Sequence, residues 1–285
     1  MLSVSTLDKY TNKHSRFVKI NRMMVHYRIE GEGFPLLLIH GTFSSLHTYD
    51  GWTRSLSKQF KVIRLDLPGF GLTGPSRTGN YSINAYMRFL NKFLKALDID
   101  QLYIAGSSLG GWLAWEYALL NPKRVKKLIL IGAAGYFIDQ ILPLPFLLAK
   151  MPVVSNFVKH ITPRSMVEKF IKEVFSDQSK VTEEVVDRYH AMVSNRGNME
   201  AFVKLANTRY KLHGDRVKNI KVPTLIMWGE DDKWVTLKNA YAFDRDLVRS
   251  QLLIYKGVGH IPMEEIPLVS AKDVKKFLLN GKPTR

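Results

Sequence analysis

The chain has 285 residues, 46% of them hydrophobic and 24% charged, which fits one large globular domain and excludes a mainly disordered chain. No window approaches the ~20 apolar residues of a membrane helix, and the absence of cysteine removes disulfides, thiolate metal sites and a cysteine nucleophile. A net charge of +17 leaves peripheral contact with an anionic membrane open, but the cations are spread without a nucleic-acid-binding signature, so nucleic acid is not an expected partner.

The first sixteen residues hold Asp8, Lys9, Lys13, His14 and Arg16 and no apolar centre of the kind a secretory signal needs, which points to the cytoplasm. Two alternating runs, 17–20 and 24–29, read as an antiparallel hairpin. Further strand-like runs follow at 36–39, 62–65, 102–105, 128–131, 224–228 and 252–255. Several are nearly continuous Leu, Ile and Val, as in strands buried on both faces of a parallel sheet. Helical stretches such as 83–97 and 111–120 lie between them. The reading is an α/β fold: a mostly parallel central sheet flanked by helices, with ligands expected at the carboxyl ends of the strands.

From 135 to 216 the rhythm breaks, with Pro143, Pro145, Pro152 and Pro163 in its first part and apolar side chains from Ile141 and Leu142 through Phe146 to Phe157 and Val158. This segment reads as a helical cap inserted into a core formed by 1–134 and 217–285. Its apolar residues are expected either to pack on the core or to line an acyl pocket.

The run 102–105 leads into Gly106-Ser107-Ser108-Leu109-Gly110-Gly111, and a helical pattern starts at Trp112. Gly-x-Ser-x-Gly between strand and helix is a sharp turn that exposes Ser108 as a nucleophile. It also sets the Leu109 N–H at a helix start, where it can face a developing oxyanion. Ser107 competes, but the two glycines are registered on Ser108. After 36–39 comes His40-Gly41-Thr42-Phe43, and the glycine lets the N–H of Thr42 or Phe43 supply a second oxyanion donor. His40 reads as a brace for that loop.

Past 224–228 three acids stand together, Glu230, Asp231 and Asp232. Asp232 is the expected partner of a histidine, and the other two read as solvated turn charges. Past 252–255 comes Gly257-Val258-Gly259-His260-Ile261-Pro262, whose glycines and proline put His260 on a defined loop as general base. The chain order Ser, Asp, His is the one found in α/β-hydrolases. Nothing in this set calls for a metal or a cofactor.

With the landmarks at 40–43, Asp66-Leu67-Pro68-Gly69-Phe70-Gly71, 106–110, Gly229-x-x-Asp232 and Gly259-His260-x-Pro262-x-x-Glu265-x-Pro267, the sequence resembles the α/β-hydrolase family over nearly its whole length. The resemblance implies that Asp66 shapes the loop after its strand. Haloalkane dehalogenases and epoxide hydrolases of this fold use aspartate at the nucleophile position, so serine there implies acyl transfer to a hydroxyl. A carboxylesterase or lipase-like serine esterase acting on a small-molecule acyl substrate follows. The same pattern also accommodates a carbon–carbon bond hydrolase, a thioesterase, a lactonase, a cofactor-free haloperoxidase, or a ligand sensor with residual hydrolysis.

Overall fold

The computed structural model describes residues 4–136, 143–151, 162–210 and 214–280. Eight strands form one sheet: β1 (Ser15–Ile20), β2 (Met23–Glu30), β3 (Phe34–Ile39), β4 (Phe60–Leu65), β5 (Leu102–Ser107), β6 (Val125–Ile131), β7 (Thr224–Gly229) and β8 (Ser250–Tyr255). Their spatial order is β1-β2-β4-β3-β5-β6-β7-β8. β1 and β2 run antiparallel to their neighbours, and from β4 to β8 every pairing is parallel. The hairpin is tighter than the sequence suggests, because Met23 pairs with Ile20. That leaves Asn21 and Arg22 as a two-residue turn, both at positive φ (49° and 65°), which matches the twist of the flanking strands.

The central strands are nearly continuous aliphatic runs because both faces are covered: Leu36, Leu37, Leu38 and Ile39 are all fully buried, and they alternate between two hydrophobic clusters. The covering helices are α2 (Asp50–Leu56), α3 (Ile83–Ala96), α4 (Leu109–Leu120), α9 (Leu237–Asp246), α10 (Pro262–Glu265) and α11 (Pro267–Leu279), whereas α1 (Val4–Tyr10) packs away from the sheet, with Tyr10 against Leu72 and Met192. α3 lies on the surface with one apolar stripe, its first turn capped by the Ser82 hydroxyl, which accepts from the Ala85 N–H. α4 is apolar on nearly all sides and accordingly buried on nearly all sides.

Between β6 and β7 lie α5 (Leu144–Lys150), α6 (Arg164–Val174), α7 (Glu183–Val193) and α8 (Asn198–Ala206), with no strand among the described residues. Phe146 on α5 packs against Phe43 and Phe202. Leu144, Leu147 and Met151 depart from expectation: they are 38%, 45% and 50% exposed. Pro145 and Ala149 hold the buried face of that short helix, so the stripe on another side of it is left half exposed. Ile141, Leu142, Phe157 and Val158 lie outside the described residues. No described helix is long and apolar enough to cross a membrane.

β3 connects to β4 on one side while β5 lies on its other side, so the strand order reverses between β3 and β5. The crevice at the carboxyl ends of those two strands is where an open α/β sheet places its ligand.

Candidate active site

Ser108 stands at that crevice, directly after β5. Its backbone has φ 54° and ψ −117°, a conformation unfavourable for a residue with a Cβ and therefore held in place by its surroundings. Its N–H donates to the Ile131 carbonyl (3.0 Å), and its own carbonyl accepts from Ala134 (3.1 Å), which stitches the turn to the end of β6. The glycines around it are steric necessities. A Cβ on Gly106 would lie 2.0 Å from the Gly110 carbonyl oxygen, and one on Gly110 would lie 2.2 Å from that of Ile39. Leu109 follows as the first residue of α4.

His260 and Asp232 approach from the ends of β8 and β7. The His260 Nδ1–H donates to Asp232 Oδ2 at 2.7 Å, while Asp232 Oδ1 accepts from the N–H groups of Trp234 and Val235, both at 2.9 Å. Both carboxylate oxygens are thereby committed, and the histidine is fixed as the tautomer with its proton on Nδ1. Nε2 is left as an acceptor. It is buried and has no hydrogen-bond partner among the described residues. Such an atom is rare in a folded core and common at a functional site. Glu230 and Asp231 are exposed, and Asp231 only receives the Ser176 hydroxyl (2.6 Å).

The loop after β3 passes over the serine. A Cβ on Gly41 would touch Ser108 Cβ at 3.0 Å, so only glycine allows this approach. Phe43 has φ 60°, and its ring lies 4.1 Å from that of Phe202. His40 is fully buried. It donates from Nδ1 to the Gly41 carbonyl (2.7 Å) and accepts the Leu67 N–H at Nε2 (3.0 Å), and burial lowers its pKa, so it braces two loops as a neutral ring. Asp66 receives the N–H groups of Leu46 and Leu72 and the Nδ1–H of His26. Burial alone would raise its pKa, but His26, with His40 and His47, holds it well below the usual carboxylate range.

Two cavities meet at Ser108, and both are bordered by Thr42 and Trp234. The smaller, about 50 Å³, also touches His260 and is walled by apolar side chains of α6 and α7 such as Val167, Phe170 and Val193. The larger, about 760 Å³, opens past Leu109 and Trp112 toward α5 and the residues after α8. Of the apolar stretch 141–158, Phe146 lines the wide cavity, while 141–142 and 152–158 lie outside the described residues. The small cavity is walled by α6 and α7, whose inward faces look like ordinary amphipathic helix.

Two contributors escaped the sequence. Gly132 has φ 47°, and a Cβ there would come within 2.9 Å of His260 Nδ1 and 3.1 Å of Asp232 Oδ2, so any side chain would wedge the pair. Glu265 is buried, and its Oε1 accepts the N–H groups of Ser176 (3.0 Å) and Asp177 (2.7 Å) while Oε2 accepts that of Gly259 (2.7 Å). The His260 N–H in turn donates to the Val174 carbonyl at 2.8 Å. The histidine loop is thus bonded to the end of α6. Glu265 stood in a recognised motif, but its partners are backbone groups 88 and 89 residues away, and no sequence pattern marks them.

The alpha/beta hydrolase fold model matches residues 35–267. The chain belongs to the alpha/beta hydrolase family. Among its relatives, a 2-hydroxy-6-oxononadienedioate/2-hydroxy-6-oxononatrienedioate hydrolase of Dechloromonas aromatica (strain RCB) is 27% identical over 259 residues, 86% of this chain and 89% of that one. A meta-cleavage product hydrolase of Pseudomonas fluorescens IP01 is similar in structure, with a TM-score of 0.79 at 25% identity over 92% of this chain and 97% of the other. A membrane phospholipase A, described as a bacterial virulence factor, gives a TM-score of 0.76 at 25% identity over 93% and 85%. This member of the alpha/beta hydrolase family is accordingly a hydrolase.

Proposed function

We infer that the chain is a serine hydrolase cleaving esters through an acyl-enzyme on Ser108. The observation that carries this is the bare Nε2 of His260, with the opposite nitrogen bonded to Asp232 and the residue bordering the same cavity as the strained Ser108. An unused buried acceptor beside a serine is what a general base for that serine requires. Ser108 Oγ attacks the ester carbonyl while its proton passes to His260 Nε2. The oxyanion is held by the Leu109 N–H and that of Thr42 or Phe43. Collapse breaks the carbonyl–oxygen bond, and the alcohol leaves with the proton from His260. Water, deprotonated by the same nitrogen, then releases the acid. Asp232 keeps the histidine in the required tautomer and stabilises its imidazolium.

On this reading 135–216 is the cap and supplies most of the substrate contacts, while 1–134 and 217–285 supply the chemistry. A second reading is favoured by the relatives named as meta-cleavage product hydrolases: the same residues would hydrolyse a carbon–carbon bond of a vinylogous diketone. Turnover of short-chain esters, a thioester and a vinylogous diketone by wild type and Ser108→Ala separates the two. Ester turnover and fluorophosphonate labelling that both vanish in Ser108→Ala support the ester reading. Turnover of the diketone alone would replace it with the second, and labelling that persists in Ser108→Ala but disappears in Ser107→Ala would move the nucleophile by one residue.

A further inference from the structure

The two cavities at Ser108 differ in chemistry as well as size. Among its described lining residues the small one holds His260 and no Asp, Glu, Lys or Arg. The wide one is lined by apolar side chains that include Trp112 and Phe146, and also by the exposed Lys150 and Arg209 with Asn207 and Thr208. No acid is among its described lining residues, and neither cation has an ion-pair partner among the described residues. In the pocket that contains Arg28 and Arg188, by contrast, Asp50, Glu184 and Glu264 share the lining. The hollow lined by Arg22, Arg77, Arg88 and Lys92 also has no acid among its described lining residues, but it does not border Ser108.

The orientation of a substrate follows from proton transfer. A leaving oxygen has to reach His260 Nε2, and of the two cavities only the small one is bordered by His260. The alcohol portion therefore sits in about 50 Å³, room for a small group, and the acyl portion extends past Leu109 into the 760 Å³ space. An acyl chain in that space shares its walls with Lys150 and Arg209.

We propose that the wide cavity is an acyl site selective for an anionic terminus, so that the substrates are esters of small alcohols with acids carrying a second carboxylate or a phosphate at the far end. This rests on the ester reading above and narrows it. Arg209 offers a planar fork and Lys150 a point charge, a pair suited to either anion. Both are exposed at the rim, so their effect is moderate and sensitive to salt.

The test compares monoethyl adipate with diethyl adipate, which differ in one terminal charge and share the leaving group, in wild type and in Lys150→Ala/Arg209→Ala. Ethanol release should give the double variant about a tenfold lower kcat/KM on the monoester and a change under twofold on the diester. About 0.5 M NaCl should erode the wild-type preference. An unchanged monoester-to-diester ratio in the double variant overturns the proposal. So does a charge-dependent preference seen instead for butanoyloxyacetate, whose anion lies on the alcohol side. A parallel arm reads binding of monoethyl adipate to Ser108→Ala through quenching of tryptophan fluorescence, since Trp112 and Trp234 border the cavity. Binding that weakens about tenfold on adding the two alanines, with no ester turned over by wild type, would retain the anion site and discard ester hydrolysis. Equal binding with and without the two cations discards the anion site whatever the turnover. Anionic phospholipid vesicles as competitor distinguish a lipid source of the anion from a soluble one.

Discussion

The two halves of the segment between β6 and β7 are attached to the core in different ways. Around α6 and α7 the ties are polar and converge on the histidine loop. Glu265 receives two N–H groups from beyond α6, Val174 receives the His260 N–H, and Arg188 and Tyr189 donate to Glu264 at 2.5 and 2.7 Å. Around α5 the described contacts are mainly aromatic, Phe146 against Phe43, Phe202 and Trp234, and the outer stripe of the helix faces solvent. The first half borders the small cavity beside His260, and the second borders the wide one. Hydrogen bonds fix distances to a few tenths of an ångström, whereas aromatic packing tolerates sliding. The polar half therefore suits the placement of catalytic atoms, and the aromatic half suits discrimination among acyl groups.

The comparison can be broken at its centre. Asp232→Asn leaves the packing intact but removes the acceptor that holds the His260 tautomer, and kcat on a short ester should fall by about 10⁴. Near-normal turnover, with loss in Asp231→Asn instead, would mean that the wrong carboxylate has been placed in the pair.

A smaller effect sharpens the polar side. Glu265→Gln keeps shape but turns an amide N–H₂ toward N–H groups that need an acceptor, so the Val174–His260 register shifts, with kcat reduced by about 10² and KM nearly unchanged. Fluorophosphonate labelling of the variant should slow in parallel. A variant that loses thermal stability yet keeps the wild-type kcat at low temperature would reduce Glu265 to a structural strut.

The weakest effect concerns His47, which borders the same hollow as Arg188 and Glu264. Burial lowers its pKa from 6.5 to about 4. The unfolded chain thus takes up a proton below pH 6.5 that the folded chain refuses until about pH 4. Stability from this group is complete above the first value and is lost as pH falls through that window. Between pH 6.5 and 5.5 the loss is about 1 kcal/mol, or roughly 2 °C in Tm. His47→Gln should flatten that part of the Tm profile, and an unchanged slope would assign the acid sensitivity elsewhere.

What was legible in the sequence follows from the range over which each feature is encoded. The strands and the serine turn depend on neighbours within a few residues, so aliphatic runs and the Gly106, Gly110 spacing declare them. Asp232 and His260, expected from their places after strands, lie together because adjacent parallel strands β7 and β8 end side by side. The division into two cavities, the role of Glu265 and the tight fit at Gly132 depend on segments far apart in the chain. An amphipathic helix such as α6 also has the same pattern whether its apolar face meets a core or a ligand. Leu144, Leu147 and Met151 illustrate the converse, since hydrophobicity alone implied burial that the geometry of α5 does not provide.

β6 and β7 are neighbours in the sheet, with Ile131 in register with Met227. The two strands are parallel, so the chain leaves at the carboxyl end of β6 and rejoins at the amino end of β7, and everything between is a detour from one rim of the sheet to the other. Residues can be gained, lost or exchanged within that detour without rethreading the sheet or altering the pairing of any two strands. Grafting between members of the fold is therefore best cut there, with the Val174 to Asp177 stretch carried along together with the Gly259 to Glu265 loop as a matched pair of parts.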